Sequence, residues 1–217
     1  MTNHIAIFGG SFDPPHIGHV RLVEAALLSL DIDALWLIPT GNPVHKTLSG
    51  HANHQQRITW LEDIFGHQPR VVVKTWETES QKPAPAIDTL RRFQGEFPDV
   101  IPTWLMGMDS YLDLPHWMDY PQHVQLCNLA VFRRVGQEYS DIPTPWQEIS
   151  LSQWQLHPPK KAGHILHLDG DLPDVSSSQI RSNPALYQHL LPISTCNAIL
   201  ACYASPSKLR QKRETHD

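Results

Sequence analysis

The sequence predicts an α/β fold: a doubly wound parallel sheet of about six strands, helices on both faces, and a small C-terminal helical part. Three observations carry this. Short apolar runs recur along the chain, and helical spacing follows most of them. The runs are apolar almost throughout rather than alternating, as strands buried on both faces are. Several end at glycine, proline or arginine, where the chain turns.

The elements follow in order. Ile5 to Phe8 is an apolar run stopped by Gly9 and Gly10, and a helical pattern resumes with Val20, Leu22, Val23, Ala26, Leu27 and Leu30. Ala34 to Ile38 is a second strand, closed by Pro39, and Gly41, Asn42 and Pro43 mark a loop. Residues 55 to 65 carry apolar residues at 58, 61, 64 and 65, a helical spacing. Arg70 to Trp76 is a valine-rich third strand, and a helix is expected from about Ile87 to Phe97. Thr103 to Met106, Asn128 to Phe132 and His164 to Leu168 complete six strands. Ser176 to Leu191 reads as helical with a break at Pro184, and Thr195 to Tyr203 as the last helix. Residues 137 to 163 hold four prolines and no clean period, and read as a variable excursion. Residues 1–204 are expected to form one domain, and 205–217, with Lys208, Arg210, Lys212 and Arg213, a disordered basic tail.

Composition narrows the partners. A formal net charge of −5 argues against a nucleic-acid polymer, while leaving room for a nucleotide at a local positive site. The apolar runs are far too short for a membrane span, and no leader pattern is read. Three cysteines without tight spacing suit reduced thiols, and so a cytoplasmic location. Fourteen histidines suggest metal, yet His51 and His54 lack a Cys or carboxylate pattern beside them, so no structural metal is expected.

In an open parallel sheet ligands sit at the carboxyl ends of the strands. At the first such end the chain reads Gly9-Gly10-Ser11-Phe12-Asp13-Pro14-Pro15-His16-Ile17-Gly18-His19. A glycine turn entering a helix presents backbone N–H groups and a positive dipole end to an anion. His16 and His19, three residues apart, share one face of the first helical turn and can reach phosphate oxygens. At the second end, Thr40 to Lys46 forms a proline- and glycine-constrained loop in which Lys46 offers a cation. At the fourth, Gly107 and Asp109 open a helix where a carboxylate can meet a ribose hydroxyl, and Trp117 offers a stacking face. Ser176 and Ser177 can cap a helix and bind an anion, with Arg181 one and a half turns further on.

These strings together resemble the nucleotidyltransferase superfamily and, within it, the bacterial nicotinate-nucleotide adenylyltransferases. The His-x-Gly-His at 16–19 is shared with class I aminoacyl-tRNA synthetases, but the chain is too short for one and lacks their Lys-Met-Ser-Lys-Ser loop. The loop at 39–46 is similar to the family's Pro-x-x-x-Pro-Pro-His-Lys/Arg, with Val44 in place of the second proline. The Gly107-x-Asp109 to Leu114-Pro115-x-Trp117 string, Arg133-Arg134-Val135-Gly136, and Val175 to Arg181 also match family motifs in order.

The resemblance implies a Rossmann-like fold and adenylyl transfer from ATP to nicotinate mononucleotide, a step of NAD biosynthesis. It assigns charge stabilisation to His16, His19, Lys46 and Arg181. It assigns ATP contacts to Gly9, Gly10, Ser11, Phe12, Gly18, Gly107, Asp109, Arg134, Ser176 and Ser177. Thr40, His45, Ala86 and Trp117 are left for the mononucleotide, and Mg²⁺ is expected to arrive bound mainly to ATP phosphates. One departure stands out. The family's Pro-Ser-Tyr-Thr-x-x-Thr-Leu is here Pro83-Ala84-Pro85-Ala86-Ile87-Asp88-Thr89-Leu90, which removes a tyrosine and a threonine beside the pyridine ring. Rival readings are transfer to phosphopantetheine or another phosphoalcohol, and a nucleotide-binding regulatory module without turnover.

Overall fold

Strand pairing begins at β1 (Ile5–Gly10), which lies parallel to β2 (Ala34–Pro39), with Ile5 opposite Ala34 and Gly10 opposite Pro39. The computed structural model describes residues 4–41, 52–79, 84–134 and 144–203, with the side chain of Arg134 outside that set. Beyond β2 lies β3 (Val71–Val73), and on the other side of β1 come β4 (Thr103–Gly107), β5 (Asn128–Arg134), β7 (His164–Gly170) and the two-residue β6 (Gln147–Glu148). The order β3-β2-β1-β4-β5-β7-β6 is parallel throughout.

The chain therefore winds outward from β1 in one direction, then returns past it to start the other half. That reversal lies between β1 and β4, the place where such sheets take ligands. The two strands pair only at Ala6 with Thr103 and Ile7 with Trp104, so they part before their carboxyl ends and leave a crevice.

Both faces of the sheet are covered, as near-continuous apolar strands require. One face sets Ala6, Phe8, Leu35, Leu37, Leu105, Ala130 and Leu166 against α1 (Ile17–Ser29) and α2 (His54–Phe65). The other sets Ile5, Ile7, Trp36, Ile38, Trp104 and Val131 against α3 (Ala86–Glu96) and α4 (Met108–Asp113). The alternation of neighbouring residues between the two cores is the period of two expected of a strand. A third cluster joins Trp60 of α2 to Ile180, Leu191, Ile199 and Tyr203, packing the C-terminal helices α6 (Ser177–Ser182) and α7 (Cys196–Tyr203) onto the α2 side.

Three details differ from the sequence expectation. The sheet has a seventh strand because the described part of the expected excursion, residues 144–163, contains β6 and α5 (Leu151–Leu156). A two-residue strand is too short to show a period. The α5 helix buries chiefly Trp154, and its start is set by the Ser150–Gln153 capping box rather than by an apolar stripe. Second, β3 is shorter than Arg70 to Trp76: it is an edge strand bonded to β2 alone, and its pairing stops at Val73 opposite Leu37 while β2 runs on to Pro39. Third, the helix opened by Ser176 stops at Ser182. Asn183 leaves helical geometry ahead of Pro184, with φ −151° and ψ 76°, and within the expected span only a 3₁₀ turn at Gln188–Leu190 follows.

Among the described residues no helix is long and apolar enough to cross a membrane.

Candidate active site

A cleft of about 350 Å³ opens at the carboxyl ends of β1 and β4, walled by the turns that leave them and by the start of α6. Gly9, Gly10, Ser11, His16, Gly18 and His19 line it from the first turn, Gly107, Asp109 and Ser110 from the second, and Ser176 and Ser177 from the third. Three separate strings thus face one space, as their placement at strand ends implies.

The histidine pair is built by the helix start. His16 has extended backbone and caps α1, its carbonyl accepting from the His19 N–H at 2.9 Å. In return the His16 backbone N–H donates to His19 Nδ1 at 3.1 Å. That bond makes Nδ1 the acceptor, so in the neutral ring Nε2 carries the proton. The two imidazoles stack with centroids 3.7 Å apart and planes 28° from parallel. Burial, and secondarily the neighbouring His16, hold the His19 imidazolium well below the usual histidine range. His19 is therefore a neutral donor near pH 7. Stacking this close is possible because residue 18 is glycine: a Cβ there would lie 3.0 Å from the His16 ring and 3.2 Å from Val175. The space beside Gly18 is taken by His16 and Val175.

Phe12 is completely buried and holds the turn from inside. Its φ of 47° lies in the left-handed region, costly for a residue with a large side chain. Its ring packs edge-on to Phe8 at 5.3 Å and against His19 at 5.0 Å. Aromatic packing offsets the backbone strain, so Phe12 supports the cleft wall without entering it.

Next to it Asp13 is buried with its carboxylate occupied. Oδ1 accepts from the Ala52 N–H at 3.0 Å and from the Tyr203 hydroxyl, and Oδ2 lies 3.8 Å from Arg181 Nη1. Burial first, then the bond to Asp13, pushes the Tyr203 hydroxyl above its ordinary range, so it stays a donor. Arg181 also donates to the Asp13 carbonyl and to Ser178 Oγ at 3.1 Å, while Ser177 Oγ donates to the Pro14 carbonyl at 2.9 Å. Arg181 grips the turn from behind and does not line the cleft. Ser176 caps α6, accepting from the Gln179 N–H at 3.2 Å.

On the opposite flank Arg57, 3% exposed, donates to the Ser11 carbonyl at 2.6 Å and the Thr40 carbonyl at 2.7 Å. Near it Glu77 is buried, accepting from Thr89 Oγ1 at 2.6 Å. Desolvation pushes its carboxyl up to about 7, opposed by the Thr89 bond and the Arg57 charge.

Of the residues expected at the mononucleotide, Thr40 is tied to the turn after β1 by its N–H bond to the Gly10 carbonyl at 2.8 Å. Trp117 packs edge-on to Trp104 at 6.3 Å, and the Trp104 ring in turn lies against Gly9. Ala86 begins α3, capped by Pro85, so neither position offers a hydroxyl. None of Thr40, Ala86 and Trp117 borders the cleft itself. His45 and Lys46 lie outside the described residues, as does the side chain of Arg134, whose backbone ends β5 opposite Gly170. Among the described residues no group of three or more His, Cys, Asp or Glu could hold a metal ion.

The motifs in the sequence do not single out Arg57, Glu77 or Tyr203. For Arg57 a signal was present. It falls one turn before Leu61 and two before Ile64, on the stripe that α2 buries, and a charge there needs a buried partner. The partners are backbone carbonyls, which carry no residue code.

The chain has clear relatives. A family model described as cytidylyltransferase-like matches residues 7–183. A protein of Chlorobium phaeobacteroides named "Probable nicotinate-nucleotide adenylyltransferase" is 34% identical over 184 residues, covering 84% of this chain and 87% of its own. One of the same name from Acidithiobacillus ferrooxidans is 32% identical over 212 residues, covering 93% and 96%. Among solved structures, Plasmodium falciparum nicotinic acid mononucleotide adenylyltransferase complexed with NaAD superposes with a TM-score of 0.66 at 18% identity, over 93% of this chain and 96% of that one. The last likeness shows the shared fold. With the motifs in order around one cleft, the sequence relatives show that this chain belongs to the nicotinate-nucleotide adenylyltransferase family of cytidylyltransferase-like proteins.

Proposed function

We propose that residues 1–204 act as one catalytic domain that joins the adenylyl group of ATP to nicotinate mononucleotide, releasing pyrophosphate and nicotinate adenine dinucleotide. The observation that carries this reading is the convergence of His16, His19, Asp109 and Ser176 on the crevice between β1 and β4. A phosphate oxygen of the mononucleotide forms a bond to the α-phosphorus. The bond from that phosphorus to its bridging oxygen breaks, and pyrophosphate leaves with the electron pair. An attacking phosphate is already anionic, so no general base is required. What the protein supplies is alignment and compensation of charge.

Within that scheme the neutral His19 donates through Nε2 to an oxygen of the α-phosphoryl group or of the leaving pyrophosphate, and the stacked His16 assists. The turn at Gly9 to Ser11 and the start of α6 receive the triphosphate, Asp109 the ribose. Lys46 and Arg181 supply cations, and Thr40, His45, Ala86 and Trp117 flank the mononucleotide. Bound Mg²⁺ would neutralise part of the triphosphate charge. Among the described residues Asp109 is the one carboxylate lining the cleft, which fits an ion that keeps most of its ligands as water and phosphate oxygen. With no hydroxyl at Pro85 or Ala86, recognition of the pyridine substituent falls to backbone groups. Three free thiols favour the cytoplasm.

The test is pyrophosphate release from Mg-ATP with nicotinate mononucleotide, nicotinamide mononucleotide or phosphopantetheine in parallel. Turnover with the nicotinate form is expected. Turnover with phosphopantetheine alone, or ATP binding without turnover on any, would replace the reading. Removing one charge-assisted donor should cost ~1.5–3 kcal/mol, a roughly tenfold to hundredfold loss of rate. His19→Ala should show that loss in a folded protein, and His19→Gln, which keeps a neutral donor, should lose less.

A further inference from the structure

The buried Arg57 has no place in the scheme above, and it is expensive. Taking a guanidinium out of water costs several kcal/mol, and an apolar residue of similar volume usually packs as well. A buried arginine therefore calls for a reason in what it holds. Here Nη1 donates to Ser11 O at 2.6 Å and Nη2 to Thr40 O at 2.7 Å. These carbonyls belong to two different strand ends. Ser11 lines the cleft at the end of β1, and Thr40 follows β2 at the head of the loop expected to take the mononucleotide. A direct bond, Thr40 N–H to Gly10 O at 2.8 Å, joins the same two turns.

The surroundings fix the guanidinium in turn. Asp13 and Glu77 supply opposing negative charge, from the phosphate turn and from the segment after β3. Thr89 of α3 holds Glu77 in place. Gly41 is pressed so closely on that segment that a Cβ would lie 1.9 Å from the Glu77 carbonyl oxygen. Residues of α2, α3 and both strand ends are thus gathered on one side chain. A planar fork holds the two carbonyls at a fixed separation and angle, whereas the three donors of an ammonium rotate freely about one point.

We propose that Arg57 is a positioning residue for adenylyl transfer: it clamps the turn after β1 to the turn after β2 and so sets the spacing between the two substrates. This rests on the proposed reaction, in which each turn receives a different substrate. In-line attack depends steeply on that spacing, because a misplacement near 1 Å costs about a hundredfold in rate.

The test compares the full-length protein with Arg57→Lys and Arg57→Gln. Melting, steady-state kinetics with Mg-ATP and nicotinate mononucleotide, and amide hydrogen exchange at Gly10 to Phe12 and at Thr40 and Gly41 are read together. Arg57→Lys is expected to melt as a folded protein, with kcat down roughly tenfold to hundredfold and KM for ATP little changed. Exchange in both turns should rise together by about tenfold as local opening becomes easier. Per-molecule turnover equal to wild type would overturn the proposal, as would a change confined to KM or unaltered exchange in either turn. Loss of a native melt in both variants would make Arg57 purely structural and overturn it as well. If the wild type itself shows no turnover, the proposed reaction fails, and the exchange data alone decide whether the clamp exists.

Discussion

The turn after β1 is held from two flanks by two arginines, and they behave differently. On the α6 flank Arg181 and Ser177 donate to the carbonyls of Asp13 and Pro14, and the Arg181 side chain is 21% exposed. On the α2 flank Arg57 donates to Ser11 and Thr40 from a site 3% exposed. Both satisfy backbone acceptors that would otherwise be stranded where the chain leaves the sheet. A half-buried fork can exchange a carbonyl for a phosphate oxygen at little cost, whereas a fully buried one cannot leave its partners. The α6 flank is thus suited to meet a ligand and the α2 flank to hold shape.

This division can be broken most directly by removing each fork. Arg57→Met leaves Glu77 without its buried countercharge and Asp13 with Arg181 alone, and should cost about 3–5 kcal/mol of stability, measured by denaturant unfolding. A smaller loss, equal to that of Arg181→Met, would erase the distinction. Next in size is a pH effect confined to the α2 flank. Glu77 has a folded-state pKa of about 7, above its ordinary 4.5, so the folded protein binds the extra proton between those values. The stability it contributes is full below pH 4.5 and is lost as pH rises to about 7, an amount on the order of 3 kcal/mol. Unfolding of Glu77→Gln across that range should lack this slope, and Arg181→Met should keep it.

Third, Arg181→Met should lower kcat/KM for ATP by ~1.5–3 kcal/mol, a roughly tenfold to hundredfold effect, with a melt close to wild type. An unchanged kcat/KM would assign Arg181 to shape as well. The smallest effect is expected of Ser177→Ala. Loss of one partly solvated bond to Pro14 O should cost about 1 kcal/mol, read by the same unfolding assay.

The two flanks also differ in how legible they are. Arg181 sits in a short string after a strand, where a helix cap and a fork have recognisable spacing, so the sequence alone pointed to it. Arg57 acts on main-chain carbonyls brought together by β1–β2 pairing, and nothing in residues 11 or 40 marks them as its partners. Tyr203 and Asp13 illustrate the same limit, being joined across nearly the whole chain by the packing of α7. The strands with long apolar runs were readable because burial on both faces leaves little choice of residue. β6 was not, since two residues are held by their neighbour β7 rather than by their own pattern. Gly18, assigned an ATP contact by the resemblance, does line the cleft, but the space a Cβ would need there is occupied by the His16 ring, whose rotamer is a tertiary choice.

Phe12 carries a consequence for how readily the cleft can work. Glycine at that position would adopt φ of 47° without strain, yet it would leave a void between Phe8 and His19. By filling that void the ring fixes the turn after β1 as part of the folded core. Ordering entropy that a flexible glycine-rich turn would lose on binding is here already lost on folding, when the core as a whole offsets it. Phe12→Gly should therefore bind ATP with a larger entropic penalty, separable by calorimetry from any loss of contact enthalpy.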